Sequence, residues 1–216
     1  SSPAQLILPE SLKVMPIYVF AVLKAAILRM GLVKPDERLY DFHRFMRYPC
    51  NVLSNLWYPK IYPLHSIFER GVLAPGSIQY ESQRIIVGTN IPATDEKIDD
   101  DGIYLIDNND TIYLYVKRLA DPYKIMHLFA VETFEEVSSI TSMPQSVETD
   151  FCERVNNIIE TLRRYKNASY QPVRIVAEGD PIEKHLLDLL FEDDRLGVSY
   201  ATFLCDVHKM IQDRYN

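Results

Sequence analysis

The chain is short of the residues from which reactive motifs are built. Seven glycines in 216 residues leave neither a Walker-type phosphate loop nor a dinucleotide-binding fingerprint, so a glycine-rich nucleotide cradle is excluded. Three cysteines, Cys50, Cys152 and Cys205, are few, odd in number and far apart, with no CxxC pair. They read as reduced, buried thiols of a cytosolic protein, and they exclude a structural zinc within this stretch. The histidines, His43, His65, His127, His185 and His208, stand at no metal-ligand spacing from one another or from a cysteine. His65 adjoins Ser66, but no nucleophile elbow or oxyanion glycine surrounds the pair. No catalytic, metal-binding or cofactor-binding residue is assigned. There is no basic block either. With 23 Lys+Arg against 30 Asp+Glu and a net charge of −7, a nucleic-acid partner is excluded and a flat contact with an anionic membrane is disfavoured. The most apolar run, Ile17–Leu28, is too short to cross a bilayer, contains Lys24 and meets Arg29. It reads as a buried helix and predicts no transmembrane segment. Ser1-Ser2 reads either as an expression-vector scar or as the cut end of something longer.

What remains is 47% hydrophobic and 25% charged, enough to build an ample core. The strongest local signal is Asp101–Val116. Ile103–Ile106 and Thr111–Val116 are β-rich runs around the polar tip Asp107-Asn108-Asn109-Asp110, whose residues tolerate left-handed backbone. Both runs are apolar on both faces, as in the centre of a covered sheet.

Before this hairpin the pattern is helical. Ser11 can cap a helix whose regular part starts at Pro16 and which Gly31 can close. A second helix starts near Asp36, with Leu39, Phe42 and Met46 on one face and Arg38, Asp41 and Arg44 outside. Pro49 ends it and can begin a third, with Val52, Leu53 and Leu56 inward. Trp57–His65 contains two Tyr-Pro steps, which force extended backbone and make a rigid aromatic connector.

From about Leu73 the texture changes, with a break at Pro75-Gly76. Ile85–Val87 is a short strand and Asp121-Pro122 opens a short helix. The stretch 135–149 reads as loop. Asp150 caps a long helix, with Glu153 completing a capping box and Phe151, Val155, Ile158, Ile159 and Leu162 as its apolar stripe. Glu160 and Arg164 pair across one turn. Val173–Ala177 is a strand, Asp180-Pro181 starts a further helix with Ile182, Leu186, Leu189 and Leu190 inward, and Ser199 caps the last. These elements predict an α+β fold: a helical segment over residues 1–74, then a domain over 75–216 with a central mixed sheet between helices.

Together these words resemble a known family, the Sec24 cargo adaptors of the COPII vesicle coat. The second part is similar to the family's gelsolin-like domain in DGIYLID (Asp101–Asp107), TIYLYV (Thr111–Val116), VNNIIETLR (Val155–Arg163), VRIVAEGD (Val173–Asp180) and FEDDRLGVSYATFLCDVHKMI (Phe191–Ile211). The first is similar to the end of its helical domain in LPESLKVMPIYVFAVLKAAILR (Leu8–Arg29), RLYDFHRFM (Arg38–Met46) and LWYPKIYPLH (Leu56–His65). No single word is diagnostic, but the set runs in the right order along nearly the whole chain.

The resemblance implies a role without a reaction: part of an inner-coat subunit that selects cargo for transport from the endoplasmic reticulum to the Golgi. It implies a cytoplasmic protein, peripheral on endoplasmic-reticulum membranes and COPII vesicles. Its partners would be a sister subunit of the Sec23 type, the coat GTPase complex and cargo sorting signals, the last mainly through absent domains. The family's zinc ribbon would lie upstream of residue 1, leaving no cofactor here. The sister subunit presents an arginine to the GTPase. The ending SYATFLCDVHKMI resembles the adaptor instead, so no such role is assigned. Family members wall part of a cargo pocket from this closing domain, which makes Lys184, His185 and Asp188 candidates for a cargo or partner contact. The alternative is a calcium-dependent, actin-binding gelsolin relative. Gelsolin repeats often bind calcium with an acid at the mouth of the first hairpin strand and a glutamate on the long helix. Asp99-Asp100-Asp101, Glu153 and Glu160 are available, but Gly102 falls where the acid would stand. A third possibility, an enzyme on an α/β scaffold, lacks any nucleophile, base or cofactor constellation.

Overall fold

The hairpin is the centre of a four-stranded sheet. In this computed structural model the described residues are 8–29, 33–67, 78–79, 86–87, 90–140, 143, 147, 149–166 and 170–215. The chain forms two compact units, one of residues 59–187 and one in which residues 1–58 are joined by 188–216. The boundary expected at 74/75 follows sequence texture; the contact-defined units divide the chain elsewhere.

In the 59–187 unit, β4 (Ile103–Asp107) and β5 (Ile112–Val116) pair antiparallel, with Leu105 opposite Leu114. Asn109 at the tip has a left-handed backbone, φ 68°, and the Asn108 side chain accepts the amides of Asp110 and Thr111 at 3.2 and 2.9 Å. These are the turn properties for which Asn is suited. On one side, β1 (Lys60–Pro63) pairs antiparallel with β4; on the other, β6 (Val173–Ala177) runs parallel to β5. β1 lies in the stretch expected to be a connector. The extended backbone imposed before Pro63 is also strand backbone, and a proline is tolerated at the end of a strand at a sheet edge. Two further residues were expected in a strand, and β3 (Ile86–Val87) pairs with a second short strand, β2 (Ile78–Gln79), that the sequence did not reveal. Ile85, Pro75-Gly76 and Gly31 lie outside the described residues.

Strand alternation sends Tyr62, Ile103, Leu105, Ile112, Leu114, Val116 and Ala177 into one core. The long helix α6 (Asp150–Tyr165) covers that face with Phe151, Val155, Ile158, Ile159 and Leu162, all buried. Each contributes about 1.5–3 kcal/mol through burial. Its cap is Thr149, one residue before the expected Asp150. The Thr149 hydroxyl accepts the Cys152 amide at 3.2 Å and donates to the carbonyl of His127. Arg163, one residue before the expected Arg164, pairs with Glu160 at 2.7 Å. It is drawn there because its guanidinium also donates to the Gln171 carbonyl. α4 (Pro122–Phe129) completes this layer and is capped by Asp121, as its sequence predicts. Within the stretch expected to be loop, Phe134–Val137 forms a one-turn helix, α5. α7 (Glu183–Leu187) buries Leu186, while Ile182, expected inward, is 38% exposed.

In the other unit, α1 (Met15–Lys24) ends at an extended Ala25, and a 3-10 turn follows at Ala26–Leu28. Ser11 sits inside an earlier 3-10 turn rather than capping α1. α2 (Pro35–Arg47) starts at a proline, whose fixed φ suits a first turn, and α3 (Cys50–Trp57) follows Pro49, which is its extended cap residue. Of the cysteines expected to be buried, Cys152 is, whereas Cys50 and Cys205 are exposed. α8 (Tyr200–Tyr215) is capped by Ser199 and packs on α1, where Phe20 meets the rings of Tyr200 and Phe203 at 5.4 and 5.0 Å. The face of α2 differs from expectation. Leu39, Phe42 and Met46 are 65%, 48% and 66% exposed, and no residue of α2 is buried. The order of the two faces is inverted: Arg38, Asp41 and Arg44, expected outside, are the less exposed ones, and among the described residues nothing extensive covers the apolar stripe.

Candidate functional site

The ionisable groups are best read by asking what each is already bonded to. Asp107 was expected in the polar tip. It is instead the last residue of β4, and parity turns its side chain to the α6 side of the sheet, fully buried. Lys166, just past α6, donates to Oδ2 of Asp107. Oδ1 accepts Gln171 Nε2 at 2.8 Å and the Asn109 amide at 3.0 Å. Burial lowers the Lys166 pKa, and the Asp107 charge opposes that shift. The site joins strand, helix and the start of β6, and every carboxylate oxygen is engaged.

A second group gathers at the opposite ends of β5 and β6. Lys117 Nζ meets Glu178 at 2.5 Å and Asp100 at 3.5 Å. The other oxygen of Glu178 accepts the Arg118 amide at 2.8 Å. Burial acts to lower the Lys117 pKa, but Glu178 and Asp100 outweigh it and the net shift is upward. Burial acts to raise Glu178, and Lys117 and the Arg118 amide bring it below the ordinary carboxylate value. The Tyr115 hydroxyl donates to Glu183 of α7 at 2.5 Å, and burial together with that carboxylate raises its pKa steeply. These are mutually satisfied structural pairs.

Of the residues weighed as calcium ligands, Asp99, Asp100 and Glu160 are engaged elsewhere. The Asp99 amide donates to the Tyr104 hydroxyl at 2.7 Å, and burial pushes the Tyr104 pKa up to about 12. A Cβ on Gly102 would lie 2.2 Å from Cε2 of Tyr104, so the ring occupies the place an acid would need. Glu160 is paired with Arg163 and Glu153 is exposed. Among the described residues no three acids, histidines or cysteines gather in a way that could hold a metal ion.

Of the contact candidates, Lys184 and His185 are exposed on α7, and Asp188 is half-buried at the start of the 188–216 segment. Of the aromatic connector, Tyr62 is core in the 59–187 unit. In the other unit Tyr58 donates to Glu192 at 2.6 Å and Trp57 packs on Phe45 with centroids 5.6 Å apart.

Sequence reasoning missed Lys24. It is buried at the end of α1, donates to the carbonyls of Phe191, at 2.8 Å, and Asp193, and lies 4.5 Å above the Phe20 ring. A lysine inside an otherwise apolar run was the available signal. Sequence reasoning also missed two concave surfaces. One is an apolar groove of about 550 Å³ between α1, the end of α2 and α3, lined by residues such as Val19, Leu23, Phe45 and Trp57. The other is a cavity of about 330 Å³ beside the start of α2. No helix among the described residues is long and apolar enough to cross a membrane.

Comparison with known proteins supports the resemblance on both units. A family model described as the Sec23/Sec24 helical domain matches residues 1–55, and a gelsolin-repeat model matches residues 84–158. Human protein transport protein Sec24C is 28% identical over 215 residues, covering 98% of this chain and 18% of that protein. Protein transport protein SEC24 B of Arabidopsis thaliana is 28% identical over 218 residues, covering 100% of this chain and 19% of that protein. The chain thus spans about a fifth of the length of these relatives. A crystal structure of the human COPII-coat protein Sec24c superposes with a TM-score of 0.80 at 27% identity, over 98% of this chain and 26% of that one. These likenesses run through both units and not through the gelsolin-like part alone, which favours the coat proteins over a gelsolin relative. Over nearly its whole length the chain is thus similar to Sec24 proteins of the COPII coat, with a match to a Sec23/Sec24 helical domain at its start and to a gelsolin repeat further on.

Proposed function

We propose that this chain is the non-catalytic portion of a COPII inner-coat subunit that selects cargo for transport from the endoplasmic reticulum to the Golgi. The observation that carries this reading is the likeness over 98–100% of the chain to proteins named for protein transport. The chemistry agrees. The perturbed groups of the 59–187 unit are bonded to one another, and a group held that way positions backbone rather than attacking a substrate. The work is therefore docking by preformed surfaces, with no cofactor in this portion. The protein acts in the cytoplasm, peripherally on endoplasmic-reticulum membranes and COPII vesicles. A Sec23-type subunit and the coat GTPase complex are its partners. Lys184, His185 and Asp188 are available for a cargo or partner contact of the polar kind, since two of the three are exposed.

The test is a pull-down of the full-length protein with the Sec23-type subunit. A stoichiometric complex is expected, and its absence with both proteins folded refutes the assignment. Changing Lys184 and His185 together to Ala then reads the contact separately: unaltered cargo recruitment into vesicles removes them from it.

A further inference from the structure

One edge of the sheet in the 59–187 unit has an unpaired backbone. β6 runs parallel to β5, with Val173 opposite Ile112 and Ile175 opposite Leu114. At the two ends of this pairing the Ile112 amide donates to the Pro172 carbonyl and the Glu178 amide to the Val116 carbonyl, both at 2.9 Å. In a parallel ladder only alternate residues of a strand bond to a given neighbour. Pro172, Arg174, Val176 and Glu178 therefore turn their backbone groups to β5, and Val173, Ile175 and Ala177 turn theirs outward. β6 ends the sheet, so no further strand of the described residues lies on that side. Asp180 caps Ala177: its carboxylate accepts the Ala177 amide at 2.8 Å, and its amide donates to the Ala177 carbonyl at 3.0 Å. The outward amides and carbonyls of Val173 and Ile175 have no such partner among the described residues. The side chains match. Val173 and Ile175 point to the core face and pack against its cluster, yet they are only half-buried. Arg174 points to the opposite face and is exposed. α5 packs on β6 with its Val137 in the core, so it covers the core face and leaves the outward amides unbonded.

We propose that β6 is a docking edge for an extended segment of a partner protein, in which one acidic residue stands between two apolar ones. Amides and carbonyls that repeat at every second residue are matched by another extended backbone. They are not matched by a helix, whose own backbone groups are spent internally. A strand bonded to Val173 and Ile175 sets its residues opposite these two on the core face, where apolar side chains complete their burial. The residue between them lies beside Arg174 on the other face, where a carboxylate complements the guanidinium. Charge counts against a second copy of this chain as the occupant. The two-fold antiparallel register that uses all four outward groups of each edge sets Arg174 against Arg174, and like charges directly opposite destabilise a strand pair. The inference goes beyond the transport reading and stands without it.

The probe is a capped, fluorescently labelled peptide, Thr-Val-Glu-Val-Thr, titrated with the full-length protein and read by anisotropy. One comparison peptide carries N-methyl groups on both valines, which removes two amide donors and keeps every side chain. The other carries glutamine in place of glutamate. The N-methylated peptide should bind about tenfold more weakly or worse, and the glutamine peptide about threefold more weakly. In Arg174→Gln the glutamate and glutamine peptides should bind alike, while N-methylation should still abolish the signal. Undiminished binding of the N-methylated peptide overturns the proposal, because charge or oily contact alone would then account for it. No binding of the parent peptide, equal binding of the glutamate and glutamine peptides, or a difference between them that survives Arg174→Gln overturns it too. So does a concentration-dependent dimer that excludes the peptide. The peptide comparisons are made on the unaltered protein, so a failure of Arg174→Gln to fold leaves the test intact.

Discussion

Removing the carboxylate of Asp107 should be among the most damaging single changes in the 59–187 unit. In Asp107→Ala, Lys166 loses its counter-ion while its side chain stays 8% exposed, and Gln171 Nε2 and the Asn109 amide lose their acceptor. Breaking a buried pair from one side leaves an uncompensated charge and costs about 3–5 kcal/mol. With a urea slope of about 2 kcal/mol per molar for a unit of this size, the midpoint falls by about 1.5–2.5 M. Asp107→Asn keeps an acceptor at Oδ1 but no charge, and should lose less. The pairwise origin is tested by Asp107→Leu with Lys166→Met. Replacing both charges by apolar groups recovers the part of the loss that comes from the unpaired lysine, because no desolvated charge remains, while Gln171 Nε2 and the Asn109 amide still lack their acceptor. The readout is far-UV circular dichroism, since the one tryptophan, Trp57, belongs to the other unit. A loss below about 1 kcal/mol in Asp107→Ala, the range of an exposed pair, or a double variant worse than either single one refutes the account.

Further expectations follow from the same bonds. Lys24→Met keeps the stem over Phe20 but strips the donor from two carbonyls, and should cost about 1–3 kcal/mol, read by Trp57 fluorescence in urea because that residue lies in the same unit. Gly102→Ala must displace the Tyr104 ring and should destabilise by about 1–3 kcal/mol; an unchanged melting temperature would show that the ring yields freely. The folded Glu178 pKa lies below its unfolded value, so its contribution is present above the ordinary carboxylate pKa and is lost as pH falls through the folded one. Lys117→Met, by removing the partner that lowers it, should flatten the acid limb of a stability–pH curve, and an unaltered limb counts against the pair.

The sequence showed elements well where one short-range rule decided them. The Asn-rich tip, the Asp121-Pro122 start, the Ser199 cap and the α6 stripe each depend on a few neighbouring residues and a single periodicity. What it concealed depends on register between distant segments. Asp107 looks like a turn residue until pairing with Ile112 extends β4 by one position and parity turns the carboxylate inward. β1 hides inside a proline-rich stretch because a Tyr-Pro step imposes the same backbone on a connector and on an edge strand. The cap of α6 moved from Asp150 to Thr149 for a tertiary reason, the bond from its hydroxyl to His127. For Lys24, an apolar run with one lysine says that the lysine is special, but its partners lie 167 and 169 positions later.

That last separation bears on how the protein divides. Texture along the chain changes near residue 75, and a boundary drawn there keeps residues 188–216 with the sheet. Contacts group them with α1–α3 instead, and the contacts are specific: the Lys24 bonds, the Tyr58–Glu192 bond and the Phe20 ring cluster with Tyr200 and Phe203. A unit closed by segments far apart in sequence carries the loop entropy of everything between them, so it holds together only if the closing contacts are strong. A buried lysine bonded to two backbone carbonyls meets that need better than apolar packing alone, because its bonds require the 188–199 backbone in one place and not merely some oily surface nearby. The polar groups of both units therefore act to fix geometry. A protein that recognises others through preformed surfaces depends on that rigidity, since surface already in its bound shape loses little entropy on docking.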